Sequence, residues 1–445
     1  MIAATVTFAT LSGGGFDASS RAIFVALAGI CLLAAASVDS RAAARAARSP
    51  LALALVALAA LSTLSVTWTI GSDSAALRWG LVIGGYAAVL VASATLSDAT
   101  GPWPVVAGVA GLALLEAAIG LRAVSLHALP DAERLGGVWR PGGTFEYPPA
   151  LALLEVATLP VLGYALDRGG APVAGAAAAA ATLAGAVLGL AGSRLALALA
   201  AAVLVALTVR AWPRSRSRAA AAATAGFVVI GAIVGPLALG GSVAQATPGA
   251  GSGGAIELAA VALAAAVSWP AIRGLNLPRL GGAIAAALCV VAIALAVVLS
   301  VGDARGGHTP LEIAAVRRSD VLHGRGAEWS AAFETWLDRP VVGAGADAYY
   351  VASVRHQTGA GSRYAHDLPL ELAAELGALG LLLGLAIYAS AAWSIATTPR
   401  TAGAWLLAPL VVAFLVSNLV DWTWHLAGLA ALWCAASGAV WSARH

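Results

Sequence analysis

Apolar stretches of about 16–22 residues recur along most of this 445-residue chain, each roughly long enough to cross a ~30 Å hydrocarbon core. Inside lipid every backbone polar group must be satisfied within the protein, so stretches of this length span as helices. The fold class expected is all-α: a polytopic transmembrane helical bundle of about 12–14 spans. Composition agrees. Sixty per cent of the residues are hydrophobic and 11% are charged, against roughly 25% charged in soluble domains. No secretory signal with a cleavage site is evident at the start, so the first apolar stretches read as retained spans. All 25 basic residues are arginine, and the net charge of +3 is a weak guide to partners; no nucleic acid is expected among them. Cys31, Cys289 and Cys434 lie in apolar runs without metal-ligand spacing and read as small buried hydrophobes.

Spans are expected near 20–38, 50–66, 77–97, 103–122, 149–166, 171–190, 195–210, 219–240, 256–272, 280–301, 369–394, 402–420 and 424–441. Residues 1–12 are apolar but too short to cross. Short arginine-rich loops stay cytoplasmic. By span count, Arg41, Arg45 and Arg48, then Arg168, then Arg210, Arg214, Arg216 and Arg218, then Arg273 and Arg279, and finally Arg400 all fall on one side. The opposite, extracytoplasmic face would receive 67–76, 123–148, 241–255 and 302–368. The expected organisation is therefore membrane helices over 1–301 with short loops, a large outer segment over 302–368, and C-terminal membrane helices over 369–445. The region 172–210 is alanine-rich, which suits close helix packing in lipid. Arg194, at its tight turn, reads either as an arginine snorkelling to headgroups or as a ligand contact.

The outer segment carries the polar chemistry. Trp329, Phe333, Trp336 and Leu337 recur at helical spacing after Arg325, while Arg325, Glu328, Glu334 and Asp338 face elsewhere. Pro340 should stop this helix, Gly343-Ala344-Gly345 should form a turn, and a second short helix is expected over 346–357. An amphipathic helix with tryptophans commonly lies in the membrane interface, which explains the stripe but not the arginines. Asp367 is a good N-cap and Pro369 fits a first helical turn. His366 precedes that cap, beside amides and a dipole end suited to an anion. Arg140-Pro141-Gly142-Gly143-Thr144-Phe145-Glu146-Tyr147-Pro148-Pro149 reads as a compact loop on the same face, with Arg140 as a further phosphate contact.

This ordered set resembles the O-antigen ligase and O-antigen polymerase superfamily: Arg325 and Trp329, Pro340, Gly343-Ala344-Gly345, Ala365-His366-Asp367, Glu375, Gly377 and Gly380. The Arg140 segment, Gly192-Ser193-Arg194 and Asp421-Trp422-Thr423-Trp424 resemble outlying motifs of the family. Asp367 stands where the family usually has asparagine, and Pro149 likewise. The resemblance implies a membrane glycosyltransferase that moves a glycan from a polyprenyl (undecaprenyl) pyrophosphate to a glycan, lipid or protein acceptor outside the cytoplasmic membrane, with inversion. Arg325 and Arg194, with Arg140 as a weaker third, would hold the pyrophosphate, since guanidiniums bind phosphate oxygens bidentately. His366 would be the general base or would orient donor or acceptor. Glu371 or Glu375 is a candidate partner for the imidazole, and equally for Arg325 or Arg363. No acidic metal-binding motif is visible, so neither metal nor cofactor is expected. The alternative class is a transporter of a small anion or lipid-linked sugar, which would draw on the intramembrane Glu116 and Glu155; paired broken spans and internal repeats are not evident.

Overall fold

The computed structural model describes residues 1–135, 138–211, 215–239, 252–272, 325–358, 361–399 and 403–444. The expected span 280–301, residues 302–324, most of the loop 241–255, Cys289, Arg214, Arg273, Arg279 and Arg400 lie outside the described residues. Among those described, nine helices are long and apolar enough to cross a membrane, and four shorter apolar helices join them. The protein is an all-α polytopic bundle, and its described strands make one two-stranded hairpin.

The chain forms two compact units, Met1–Ala107 with Asp320–His445, and Gly108–Ser319. The first unit is built around α5 (Asp73–Thr100), packed by α2 (Ala18–Val38), α4 (Pro50–Leu64) and α16 (Ala427–Ser442). Helix starts follow local chemistry: Asp17 accepts from the Ser19 and Ser20 amides to open α2, and Ser49 accepts from the Ala52 amide with Pro50 following to open α4. In the second unit, α8 (Ala171–Ala191) packs against α7 (Pro148–Arg168), α10 (Ser215–Leu239) and α11 (Ser252–Ile272). A Cβ on Gly231 would collide with the Thr182 carbonyl of α8, so the small residues permit backbone contact between α8 and α10.

The polar segment folds much as its residue pattern requires. A helix, α12, runs Arg325–Asp338, and a short one, α13, runs Tyr349–Ser353. The aromatic stripe does not form the protein-facing side of α12. Ala331, Ala332 and Thr335 are buried instead, and Phe333 and Leu337 stay exposed. Ala332 packs with Tyr349, Ala365 and Ala374. The following helix, α14 (Leu368–Thr397), is interrupted at Gly377, whose φ is 66° and ψ −157°. The interruption is a docking joint. Ala344 and Gly345 amides donate to the Ala374 and Glu375 carbonyls at 3.0 and 2.7 Å, and the Ala378 amide donates to Pro340 O at 2.9 Å. A side chain on Gly343 would strike Glu375 backbone, and one on Gly377 would strike Val341 backbone. These two glycines therefore let the loop after α12 seat on the break in α14.

Candidate functional site

His366 sits at the end of the loop that leads into α14. Asp367 accepts from the Leu370 amide at 2.9 Å and caps the helix, as its position ahead of Pro369 led one to expect. His366 itself takes a left-handed backbone conformation, φ 54°, sparsely populated for a residue with a Cβ. Neighbouring groups hold it there. Trp329 Nε1 donates to the His366 carbonyl at 3.4 Å, and the Ala365 amide donates to Glu371 Oε2 at 2.9 Å. Upstream, the Gln357 side chain accepts from the Ser362 amide at 2.6 Å and donates to the Ser362 carbonyl at 2.8 Å.

The imidazole meets a carboxylate from α12. His366 Nδ1 lies 2.9 Å from Glu328 Oε2 and 3.1 Å from the Tyr364 carbonyl. A carbonyl can only accept, so Nδ1 carries a proton, and in the neutral ring Nε2 then keeps its lone pair. The same Glu328 oxygen accepts from Arg325 Nη1 at 3.4 Å, one helical turn earlier. Arg325, Glu328 and His366 thus form one connected group. Burial raises the Glu328 carboxyl above its ordinary value, and the Arg325 charge opposes the rise.

Glu371 and Glu375 do not partner His366. Glu371 Oε1 lies 2.5 Å from His425 Nε2, and Glu375 Oε1 accepts from the Tyr349 amide at 3.0 Å. Both carboxylates are buried on the inner face of α14, whereas Glu328 reaches His366 from a separate helix. His425 lies in a 3₁₀ turn, Thr423–His425, just before α16. Its ring stacks on Tyr364 at 4.0 Å and on Trp79 at 4.7 Å between centroids, and Tyr364 stacks on Trp422 at 5.3 Å. Glu328 and His425 are the residues that sequence reasoning passed over. The i, i+3 spacing of Arg325 and Glu328 was a visible signal for the first. For His425 the only signal was its place beside the Asp421-Trp422-Thr423-Trp424 motif.

Arg140 and Arg194 belong to the second unit. Arg140 lies on the hairpin β1 (Ala132–Leu135) and β2 (Val138–Pro141), directly opposite Glu133. Its Nη1 is 3.6 Å from Glu133 Oε2, and its Nε donates to the Ala191 carbonyl at 2.7 Å. Arg140 therefore caps the end of α8. Gly192 turns the chain there with φ 61°, and Arg194 opens α9 (Arg194–Ala211). The two arginines are thus set around one tight turn. Glu116 accepts from the Thr144 amide at 2.8 Å and from its hydroxyl at 2.5 Å, which fixes the loop after Arg140. Glu155 is buried, with Oε1 lacking a hydrogen-bond partner. Among the described residues, no group of three or more His, Cys, Asp or Glu side chains could hold a metal ion.

Residues 246–385 match the family model described as O-antigen ligase. That segment contains Arg325, Glu328, the glycines of the docking joint and His366. The match supports membership of the O-antigen ligase superfamily, and with it a membrane glycosyltransferase-like function. No curated protein matches the chain.

Proposed function

On the premise that the chain is a member of the O-antigen ligase superfamily, we propose that it transfers a glycan from a polyprenyl pyrophosphate carrier to an acceptor hydroxyl outside the cytoplasmic membrane. The observation that carries this reading is the geometry of His366. Its Nδ1 is engaged by Glu328 and the Tyr364 carbonyl, which orients the ring and leaves Nε2 to act as a base. Nε2 takes the acceptor hydroxyl proton. The freed oxygen attacks the anomeric carbon while the bond from that carbon to the pyrophosphate oxygen breaks, and the leaving group departs with the electron pair. Attack from the face opposite the leaving group inverts the anomeric configuration.

Charge develops on the departing pyrophosphate, and fixed guanidiniums suit it because they stay ionised when partly desolvated. Arg325 is the candidate beside His366. Arg194 and Arg140 are phosphate-binding candidates of the second unit, each to be tested by its own glutamine variant. The reading needs no metal ion. The acceptor is left open among glycan, lipid and protein.

The test is release of lipid pyrophosphate by purified protein in nanodiscs, given a polyprenyl-pyrophosphate oligosaccharide and candidate acceptors, with and without chelator. Wild type should release it in both conditions, and His366→Ala and Arg325→Ala should not. Release that persists in His366→Ala would remove the imidazole from the mechanism.

A further inference from the structure

We propose that Arg21 and Arg363 form an anion site that receives a phosphate group of the lipid-linked substrate. Arg21 lies in the first turns of α2 and Arg363 three residues before His366, far apart in sequence. The fold sets both guanidiniums against the Phe16 ring, at 5.3 and 5.5 Å from its centroid. Arg21 also faces Trp79 at 5.1 Å and Arg363 faces Tyr364 at 5.5 Å.

Neither arginine has a carboxylate ion-pair partner among the described residues. Of the acids nearby, Asp17 caps α2, Glu371 meets His425, and Glu328 is shared by Arg325 and His366, while Asp347 acts on Tyr364 without an ion pair to either arginine among the described residues. Arg325 is therefore ion-paired, while Arg21 and Arg363 have no ion-paired carboxylate among the described residues. Unmet hydrogen bonds point the same way. Arg21 Nη2 donates to the His425 carbonyl at 3.1 Å, but its Nε is buried without an acceptor, and so is the Tyr364 hydroxyl. Stacking on aromatic rings orients a guanidinium without neutralising it, so a cation–π role alone leaves the charge unanswered. Two guanidiniums held by rings present donors that match the oxygens of a phosphate.

Position agrees. Arg21 is at the end of α2 remote from Arg41, Arg45 and Arg48, and Tyr364 joins the arginine pair to the imidazole, because its ring lies under Arg363 and its carbonyl accepts from His366 Nδ1. The inference rests on the reading of this site as one for a lipid-linked phosphate.

The experiment measures binding of a labelled polyprenyl pyrophosphate to the full chain in phosphatidylcholine nanodiscs, for wild type, Arg21→Gln and Arg363→Gln. Losing a charge-assisted contact should weaken binding roughly ten- to a hundredfold in each arginine variant. Arg363 is exposed and among the described residues is held by ring contacts, so its variant tests the idea even where Arg21→Gln fails to fold. Binding within twofold of wild type in Arg363→Gln would overturn the proposal. Added phosphatidylglycerol separates two sources of phosphate. If it competes as well as the pyrophosphate does, the site takes bulk headgroups and the assignment to substrate is overturned. Transfer measured on the same samples keeps the two readings apart. Transfer with unchanged KM in the variants refutes this site alone, whereas tight binding that needs the arginines but never leads to transfer refutes the glycosyltransferase reading alone.

Discussion

Among the described residues of the first unit, two histidine–glutamate pairs differ chiefly in access. His366 and Glu328 are 2.9 Å apart with side-chain exposures of 15% and 24%; His425 and Glu371 are 2.5 Å apart with exposures of 3% and 6%. The first pair is assembled from a loop and the start of α12, so Nε2 of His366 can meet another molecule. The second is enclosed by Tyr364, Trp79 and the first turns of α14. The open pair is the more accessible of the two to a molecule outside the protein. The sealed one has a different task, because the second oxygen of Glu371 binds the Ala365 amide next to His366. In the proposed reaction the open pair supplies the base, and the sealed pair holds the loop that carries it. A third histidine, His356, meets Asp338 at 2.7 Å on the surface and serves as a reference for pairing without enclosure.

The comparison breaks most easily at His366. His366→Ala should lower the rate of transfer by roughly 10²–10⁴-fold, the usual contribution of a general base, with an unchanged thermal midpoint. Equal loss of activity and stability would erase the distinction between the pairs. His425→Ala should behave in the opposite sense. It strands Glu371 in a buried site, and removing one partner of a buried pair costs about 3–5 kcal/mol. Thermal unfolding should show a much lower midpoint; a wild-type midpoint would deny the sealed pair its structural role.

Glu328→Gln sharpens the contrast further. The maximal rate should fall by roughly tenfold, about the smallest effect expected when the group orienting a base is lost. Burial raises the Glu328 carboxyl, so in wild type its charge is lost at a higher pH than for an ordinary glutamate. Activity should therefore decline as pH falls through that raised value, and this inflection should be missing from the pH–rate profile of Glu328→Gln. An identical profile would mean that Glu328 does not assist the imidazole.

Asp338→Asn should have the smallest effect. Hydrogen bonds from His356 and Arg355 hold the Asp338 carboxyl below its ordinary value. A depressed folded-state pKa gives stability that is present above the unfolded value and is lost as pH falls through the folded one. Wild type should then be slightly more stable than Asp338→Asn near neutrality, and the two should converge in strong acid. Melting curves across pH check this, and a gap that widens in acid would contradict it.

Much of this was legible because it depends on short sequence distances. Apolar length placed α2, α4, α5 and α7 through α11 within a few residues, and Asp367 with Pro369 marked the start of α14. The end of α12 before Pro340 followed from the missing amide of proline. Partner choice was not legible in the same way. Glu371 and Glu375 stand closer in sequence to His366 than Glu328 does, yet both turn inward, toward His425 and Tyr349. The aromatic stripe of α12 shows the same limit. Periodicity identified the stripe but not the side that packs, and the alanine face was the one buried.

By itself the sequence determined that this chain is a helical membrane protein, where most of its helices begin and end, and which glycines and polar residues form an ordered set. Those features follow from hydrocarbon thickness, capping and backbone sterics, which act over a few residues. Tertiary structure alone decided that Glu328 is the carboxylate beside His366, that Glu371 is sealed against His425, and that Arg21 comes to lie near Arg363. Each of these joins elements far apart in the chain, and the joint at Gly343 and Gly377 exists only when two backbones meet without side chains between them.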